Sequence, residues 1–151
     1  MSFEQTFKVS WAHLDAMGHM ANTAYLDLAV DTRFAYFESQ GFSSAEFRRL
    51  GFGPVVRRDE VDYYRELHML QPVRITLMLG GIAPDASRFR LVNEFWREDG
   101  SLSARLASTG GWLDTKARKL VAPPEKLAAV LHALDRTPDF ATLESSLKAP
   151  A

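Results

Sequence analysis

The chain has no cysteine, which excludes disulfides, thiolate nucleophiles and cysteine-based metal sites. It has no charge excess: 18 basic and 19 acidic side chains leave a formal net charge of −1. That balance provides no general attraction to nucleic acid or to an anionic membrane, so any anion must be held by a local cluster. No uncharged run approaches the roughly 20 apolar residues that a membrane helix needs. The opening Met1-Ser2-Phe3-Glu4-Gln5 has neither the basic nor the apolar region of a secretion signal, and a soluble, cytoplasmic protein is the expectation. There is no Gly-rich phosphate loop. His13, His19, His68 and His132 show no metal-ligand spacing. Gly41-Phe42-Ser43-Ser44-Ala45 follows a helical pattern where a nucleophile elbow needs a strand, so Ser43 reads as a helix cap. No metal and no cofactor is expected.

What is present is 46% hydrophobic residues in 151, enough for one domain around one sizeable core. Phe3, Phe7, Val9 and Trp11 alternate with Glu4, Lys8 and Ser10, the pattern of a half-buried strand. Ala12 to Ala21 has no sustained period and reads as a loop that ends where Asn22 can cap a helix. That helix is predicted from about Thr23 to Gln40, stopping at Gly41, with apolar residues on more than one stripe, so it should be largely enclosed. A short helical turn over Ala45 to Leu50 follows, between Ser43 or Ser44 and Gly51. Four strand-like runs come next: Pro54 to Glu66, Val73 to Ile82, Ser87 to Arg97 and Leu102 to Asp114, the last two joined by a tight Asp99-Gly100 turn. Pro123 and Pro124 open a last helix with Leu127, Val130, Leu131 and Leu134 on one face. The fold class is α+β, an antiparallel five-stranded sheet wrapped around one long central helix with a C-terminal helix. Residues 1–136 form the domain and 137–151 a weakly ordered tail. Open edges on such a sheet invite a second copy, so a homodimer or a dimer of dimers is expected.

The chemistry concentrates in Leu14 to Tyr25, where one carboxylate, Asp15, and a turn glycine, Gly18, stand directly before the long helix. A helix N-terminus presents unpaired N–H donors and about half a positive charge, which suits a developing oxyanion. Asp15 beside it is placed to act as a general base or a nucleophile, although an aspartate that merely shapes a turn has the same spacing.

Read as Asp15-x-x-Gly18-His19-x-x-Asn22-x-x-Tyr25, this loop resembles the signature of hotdog-fold acyl-CoA thioesterases of the 4-hydroxybenzoyl-CoA thioesterase-like branch. Strand one, the helix Leu26 to Gln40, the Tyr64 strand and the closing pattern Gly111-Trp112-Leu113-Asp114-Thr115-Lys116 through Leu120 to Pro124 occur in the family's order. The resemblance implies a hotdog fold and hydrolysis of an acyl-CoA thioester, with CoA as part of the substrate. Asp15 matches the family's catalytic carboxylate. Asn22 takes the position whose backbone amide polarises the thioester carbonyl, in place of the histidine of some relatives. Gly18 lets the backbone pass close to substrate, His19 supports the loop, and Tyr25 lines the site or serves as a core tyrosine. Arg88, Arg90, Lys116, Arg118 and Lys119 are the candidates for the CoA phosphates. Arg57, Arg58 and Arg65 rank below them because Asp59, Glu60 and Glu66 lie beside them in sequence. After Tyr64 the chain reads Arg65-Glu66-Leu67-His68-Met69-Leu70-Gln71-Pro72, departing from the family's Pro and Gly-Asp turn. An acyl-carrier-protein thioesterase and a non-catalytic acyl-CoA-binding domain are the alternatives.

Overall fold

A computed structural model describes residues 1–147 of the chain. Five long strands form one antiparallel sheet in the order β1-β3-β4-β5-β2, where β1 is Phe3–Lys8, β2 Phe52–Tyr63, β3 Pro72–Ile82, β4 Arg88–Arg97 and β5 Leu102–Asp114. Two short strands extend it: β6, Lys119–Val121, pairs β5, and β7, Arg136–Thr142, pairs the end of β3 in parallel. The long helix α1, Asn22–Ser39, packs on the sheet, followed by α2, Ser44–Leu50, and later by α3, Glu125–His132. The strand and helix succession is the expected one. Ser43 caps α2 by accepting the Glu46 N–H at 3.1 Å, and Gly51 ends it.

Helix α1 buries Ala24, Tyr25, Leu28, Ala29, Thr32, Arg33, Tyr36 and Phe37, a stripe at helical spacing. It joins two apolar clusters. One surrounds Tyr36, Phe37, Phe89 and Trp112 and is closed by Leu127 and Leu131 of α3. The other, under the N-terminal end of the helix, contains Met20, Tyr25, Leu28, Leu67, Val73 and Phe95. Between them Arg33, only 5% exposed, donates from Nε to Asn93 Oδ1 at 2.9 Å and from Nη2 to the Ser108 hydroxyl at 2.7 Å. Ser108 in turn donates to the Asp59 carboxylate. Burial lowers the Arg33 pKa to about 10, opposed by Asp59, so the guanidinium remains charged at neutral pH.

Four expectations are corrected. The first strand ends at Lys8, and a 3-10 turn over Trp11–His13 carries Trp11 into solvent at 79% exposure, out of the strand's apolar face. Asn22 is the first residue of α1 and not its cap; Ala21 holds that position without a side-chain bond. The helix is enclosed on one face only, since Leu26 and Phe34 remain exposed beside Asp27 and Asp31. The segment after Thr137 is not loose: β1 pairs β3 only as far as Leu77, leaving Leu79 to Ile82 without a neighbour on that side until β7 covers them. Residues 148–151 of the expected tail lie outside the described residues.

Candidate active site

The segment between β1 and α1 folds back on itself. Leu14 and Met20 form an isolated bridge, Asp15 N–H donates to His19 O at 2.8 Å, and Gly18 N–H donates to Asp15 O at 3.1 Å. Gly18 has φ +77°, a left-handed conformation that side-chain-bearing residues adopt at a cost of about 1–2 kcal/mol. The turn is stabilised by the Asp15 side chain, whose Oδ1 accepts the N–H groups of Met17 at 2.8 Å and His19 at 3.1 Å. Asp15 Oδ2 has no hydrogen-bond partner among the described residues, and the side chain is exposed. One carboxylate oxygen thus shapes the loop while the other is open to a ligand.

The loop is held from behind by the stretch after β2. Met20 N–H donates to Leu67 O at 2.7 Å, and Leu67 is fully buried beneath it. His19 and His68 bridge the two backbones, their rings edge to face with centroids 5.0 Å apart, and His68 Nε2 lies 3.8 Å from Glu66 Oε1. The Arg65 to Pro72 stretch, where the sequence departs from the family pattern, is therefore the wall that braces the Asp15 loop. Leu70 takes φ +65° there, and its N–H bonds Val9 O at 2.7 Å, tying the wall to the end of β1.

An open cleft of about 310 Å³ lies at this junction, lined by Asp15, His19, Asn22 and Tyr25 from the loop and helix and by Tyr63 to Glu66 from the end of β2 onward. The N–H groups of Asn22 and Thr23, in the first turn of α1, have no hydrogen-bond partner among the described residues, whereas Ala24 N–H donates to Ala21 O. Tyr63 donates its hydroxyl to Asn22 O at 3.2 Å, fixing the strand end against the helix start. Tyr25 lines the cleft and is also a satisfied core residue. It is 3% exposed, its hydroxyl is 2.9 Å from Ser103 Oγ, and its ring meets Tyr63 and Phe95 edge to face; burial raises its pKa. The Glu66 carboxyl is held below the usual range chiefly by its own backbone N–H, with His19, Arg97 and His68 adding to it. Sequence reasoning missed Glu66 and His68 at this site. Their signal lies in the pairing of two segments about fifty positions apart, which no local pattern carries.

The expected phosphate-binding cations stand elsewhere. Arg88 and Arg90 open β4, and Lys116, Arg118 and Lys119 cluster where β5 turns into β6. On this chain that is the end of the sheet away from Asp15: Tyr63 pairs with Ala104, whereas Phe52 pairs with Asp114. Arg90 also lies 3.9 Å from Asp139.

Five long antiparallel strands in the order β1-β3-β4-β5-β2, laid against one long helix, define a hotdog-fold protein. The chain belongs to the thioesterase-like superfamily, whose family model matches residues 9–131. None of the curated proteins matches it in sequence. Among solved structures it is similar to a 1,4-dihydroxy-2-naphthoyl-CoA thioesterase from Synechocystis, with 18% identity, a TM-score of 0.79 and 89% of this chain against 98% of that one. A Staphylococcus aureus protein solved in complex with CoA aligns at 20% identity and a TM-score of 0.81, covering 99% and 90%. A putative oleoyl thioesterase from Lactobacillus plantarum aligns at 17% identity and a TM-score of 0.83, covering 99% of this chain and 55% of that one. At these identities the likeness establishes the fold.

Proposed function

We propose that the protein is a thioesterase that hydrolyses an acyl-CoA to the free acid and CoA at the Asp15 cleft. The observation that carries this reading is the meeting, in one cleft, of an unengaged carboxylate oxygen on Asp15 with the unpaired first-turn amides of α1. A thioester carbonyl oxygen received by the Asn22 N–H is polarised by a donor fixed before the reaction begins. Asp15 then either takes the proton of an attacking water or attacks the carbonyl carbon itself to form an anhydride that water opens. In both routes the carbon–sulfur bond breaks and CoA leaves as the thiol. Gly18 keeps the loop in the turn that aims Asp15, and His19, braced by His68, holds the far side of the turn. CoA as the carrier is favoured by the CoA complex of the Staphylococcus aureus neighbour and by the CoA thioesterase of Synechocystis.

The reading includes a cytoplasmic homodimer, alone or as a dimer of dimers. β2 is an outer edge of the main sheet, twelve residues long, and exposed Leu26, Phe34 and Val56 are available for a second copy. In an antiparallel pairing of two β2 edges, the end of one sheet carrying Arg88 and the β5–β6 turn comes beside the Asp15 end of the other. Release of thiol from a panel of acyl-CoAs tests the activity, and light scattering tests the assembly. Binding of acyl-CoA without thiol release would favour a sensor domain, and turnover only of acyl-carrier protein would favour the protein-bound substrate.

A further inference from the structure

A separate cavity of about 110 Å³ lies between the later turns of α1 and the sheet. Val30, Phe34 and Phe37 form its helix side, Val56, Phe89 and Leu91 its sheet side, and Arg33 is the one charged residue among those that line it. It stands apart from the Asp15 cleft. Arg33 follows Asn22 by eleven residues, about 16 Å along the helix, and the two cavities share no lining residue.

Arg33 is 5% exposed, so its guanidinium sits in an almost dry setting. Nε and Nη2 donate to neutral acceptors, Asn93 Oδ1 at 2.9 Å and Ser108 Oγ at 2.7 Å. Both acceptors are themselves anchored, since Asn93 Nδ2 donates to Thr76 O at 3.0 Å and Ser108 donates to Asp59. Nη1 has no hydrogen-bond partner among the described residues. Nor is it sealed off, because the enclosed side-chain atoms without a partner there are Arg97 Nε and Thr137 Oγ1. The accessible remnant of this buried arginine thus includes an unpaired donor nitrogen, and the cavity it borders is otherwise apolar. No carboxylate lies within 4.0 Å of the guanidinium among the described residues. Burial pulls the Arg33 pKa down more than Asp59 holds it up, so Asp59, acting across Ser108, does not offset the cost of burying the charge.

We infer that this slot is a binding site for a free short-chain aliphatic carboxylate, its hydrocarbon held among the apolar walls and its carboxylate accepting the N–H groups of Arg33 Nη1. The ligand is a second one, independent of the thioester proposed for the Asp15 cleft. Size sets its length: an apolar cavity of about 150 Å³ accepts benzene, so one of about 110 Å³ takes about four carbons. A chain of that length covers about 5 Å and does not span the distance to the cleft. The walls select hydrocarbon and the guanidinium selects charge. A neutral amide offers an oxygen to the same donors without the counter-charge, and charge-assisted bonds are about twice as strong. An ammonium is repelled. The donor is fixed before the ligand arrives, which keeps the ordering cost of binding low. Phe34 and Val56 also belong to the surface offered to a second copy, so the measurement is made on the protein in the assembly it forms.

The test is calorimetric titration of wild type, Val30→Phe and Arg33→Met with acetate, butyrate, butyramide and butylamine. Wild type is expected to bind butyrate, with acetate weaker by about tenfold for its two missing methylenes and butyramide weaker by about tenfold for its missing charge. Butylamine is expected not to bind. Val30→Phe fills the slot from a half-buried helix position and leaves the Arg33 bonds in place, and it is expected to weaken butyrate at least about tenfold. Arg33→Met, compared at a temperature where it is folded, is expected to bind butyrate no better than butyramide. Because Arg33→Met is costly to the fold, Val30→Phe carries the test if that variant does not fold. No butyrate binding by wild type overturns the inference, as does equal affinity for butyrate and butyramide, or full affinity in Val30→Phe. Displacement of butyrate by CoA overturns it in favour of the Asp15 cleft. Preferential hydrolysis of a thioester whose acyl chain ends in a carboxylate, lost in Val30→Phe, overturns it in favour of the acyl end of a substrate. Asp15→Asn is expected to bind butyrate as wild type does, so the site stands or falls without any thioester being cleaved.

Discussion

Replacing Asn22 with proline removes the proposed oxyanion donor with very little disturbance of the fold. Asn22 is the first residue of α1, its N–H has no partner among the described residues, and the next intrahelical contact, Ala24 N–H to Ala21 O at 3.0 Å, does not involve it. Proline is favoured at this position because its fixed φ suits the helix and its missing N–H is one that the helix leaves unpaired. The preceding residue must be extended, and Ala21, at φ −64° and ψ 148°, already is. Folding stability should therefore stay level or rise by about 0.4–1 kcal/mol through the stiffer unfolded chain. Catalysis should not: losing one preorganised oxyanion donor removes about 2.7–4 kcal/mol of transition-state stabilisation, a fall of roughly 10²–10³ in kcat. Asn22→Ala keeps the amide and deletes only the side chain, so it should turn over within a few-fold of wild type. The assay is thiol release from acyl-CoA under saturating substrate, beside thermal unfolding of each protein. Turnover in Asn22→Pro within tenfold of wild type, at unchanged Tm, would refute the role given to the helix amide.

Tyr25→Phe removes a buried hydroxyl that bonds Ser103. It should cost about 1 kcal/mol in urea unfolding, with kcat altered by less than about tenfold, because Ser103 keeps Arg65 O as an acceptor. Gly18→Ala meets no atom within 4 Å but keeps a left-handed backbone, so it should cost about 1–2 kcal/mol by the same unfolding assay without loss of the fold. Arg33→Met leaves Asn93 and Ser108 without their buried donor and should cost about 3 kcal/mol. Combining it with Asp59→Asn should recover part of that, and strict additivity in the double-mutant cycle would show that the two charges do not communicate through Ser108.

The elements that follow a local rule are readable from the chain. β3 alternates Val73, Ile75, Leu77 and Leu79 against Arg74 and Thr76, and the first four are the buried ones. The Ser43 cap and the Gly51 stop bracket α2 because both act within one helical turn. What escapes such reading depends on distant pairing. Trp11 fits the β1 alternation, yet the strand ends early and the residue turns outward. Thr137 to Thr142 has no strand period, and its order comes from the unpaired half of β3 and from contacts such as Arg136 over Phe140 at 4.2 Å. At the site, Asp15, Gly18 and Asn22 are legible because they are neighbours in one loop. The wall that braces them arises only when distant segments are laid side by side. Sequence proximity does not say which groups pair: Asp59, two residues from Arg57, accepts the Ser108 hydroxyl.

The central claim is that Asp15 supplies the reacting carboxylate, and thiol release by Asp15→Asn tests it most directly. The substitution is conservative for the loop, since an amide oxygen can accept the Met17 and His19 N–H bonds that Oδ1 accepts now. It removes only the capacity to take a proton or to attack carbon. Wild type is expected to release CoA thiol from at least one acyl-CoA of a panel, while Asp15→Asn, with the same Tm, loses at least about a hundredfold in kcat. Turnover by Asp15→Asn within a few-fold of wild type would contradict the account.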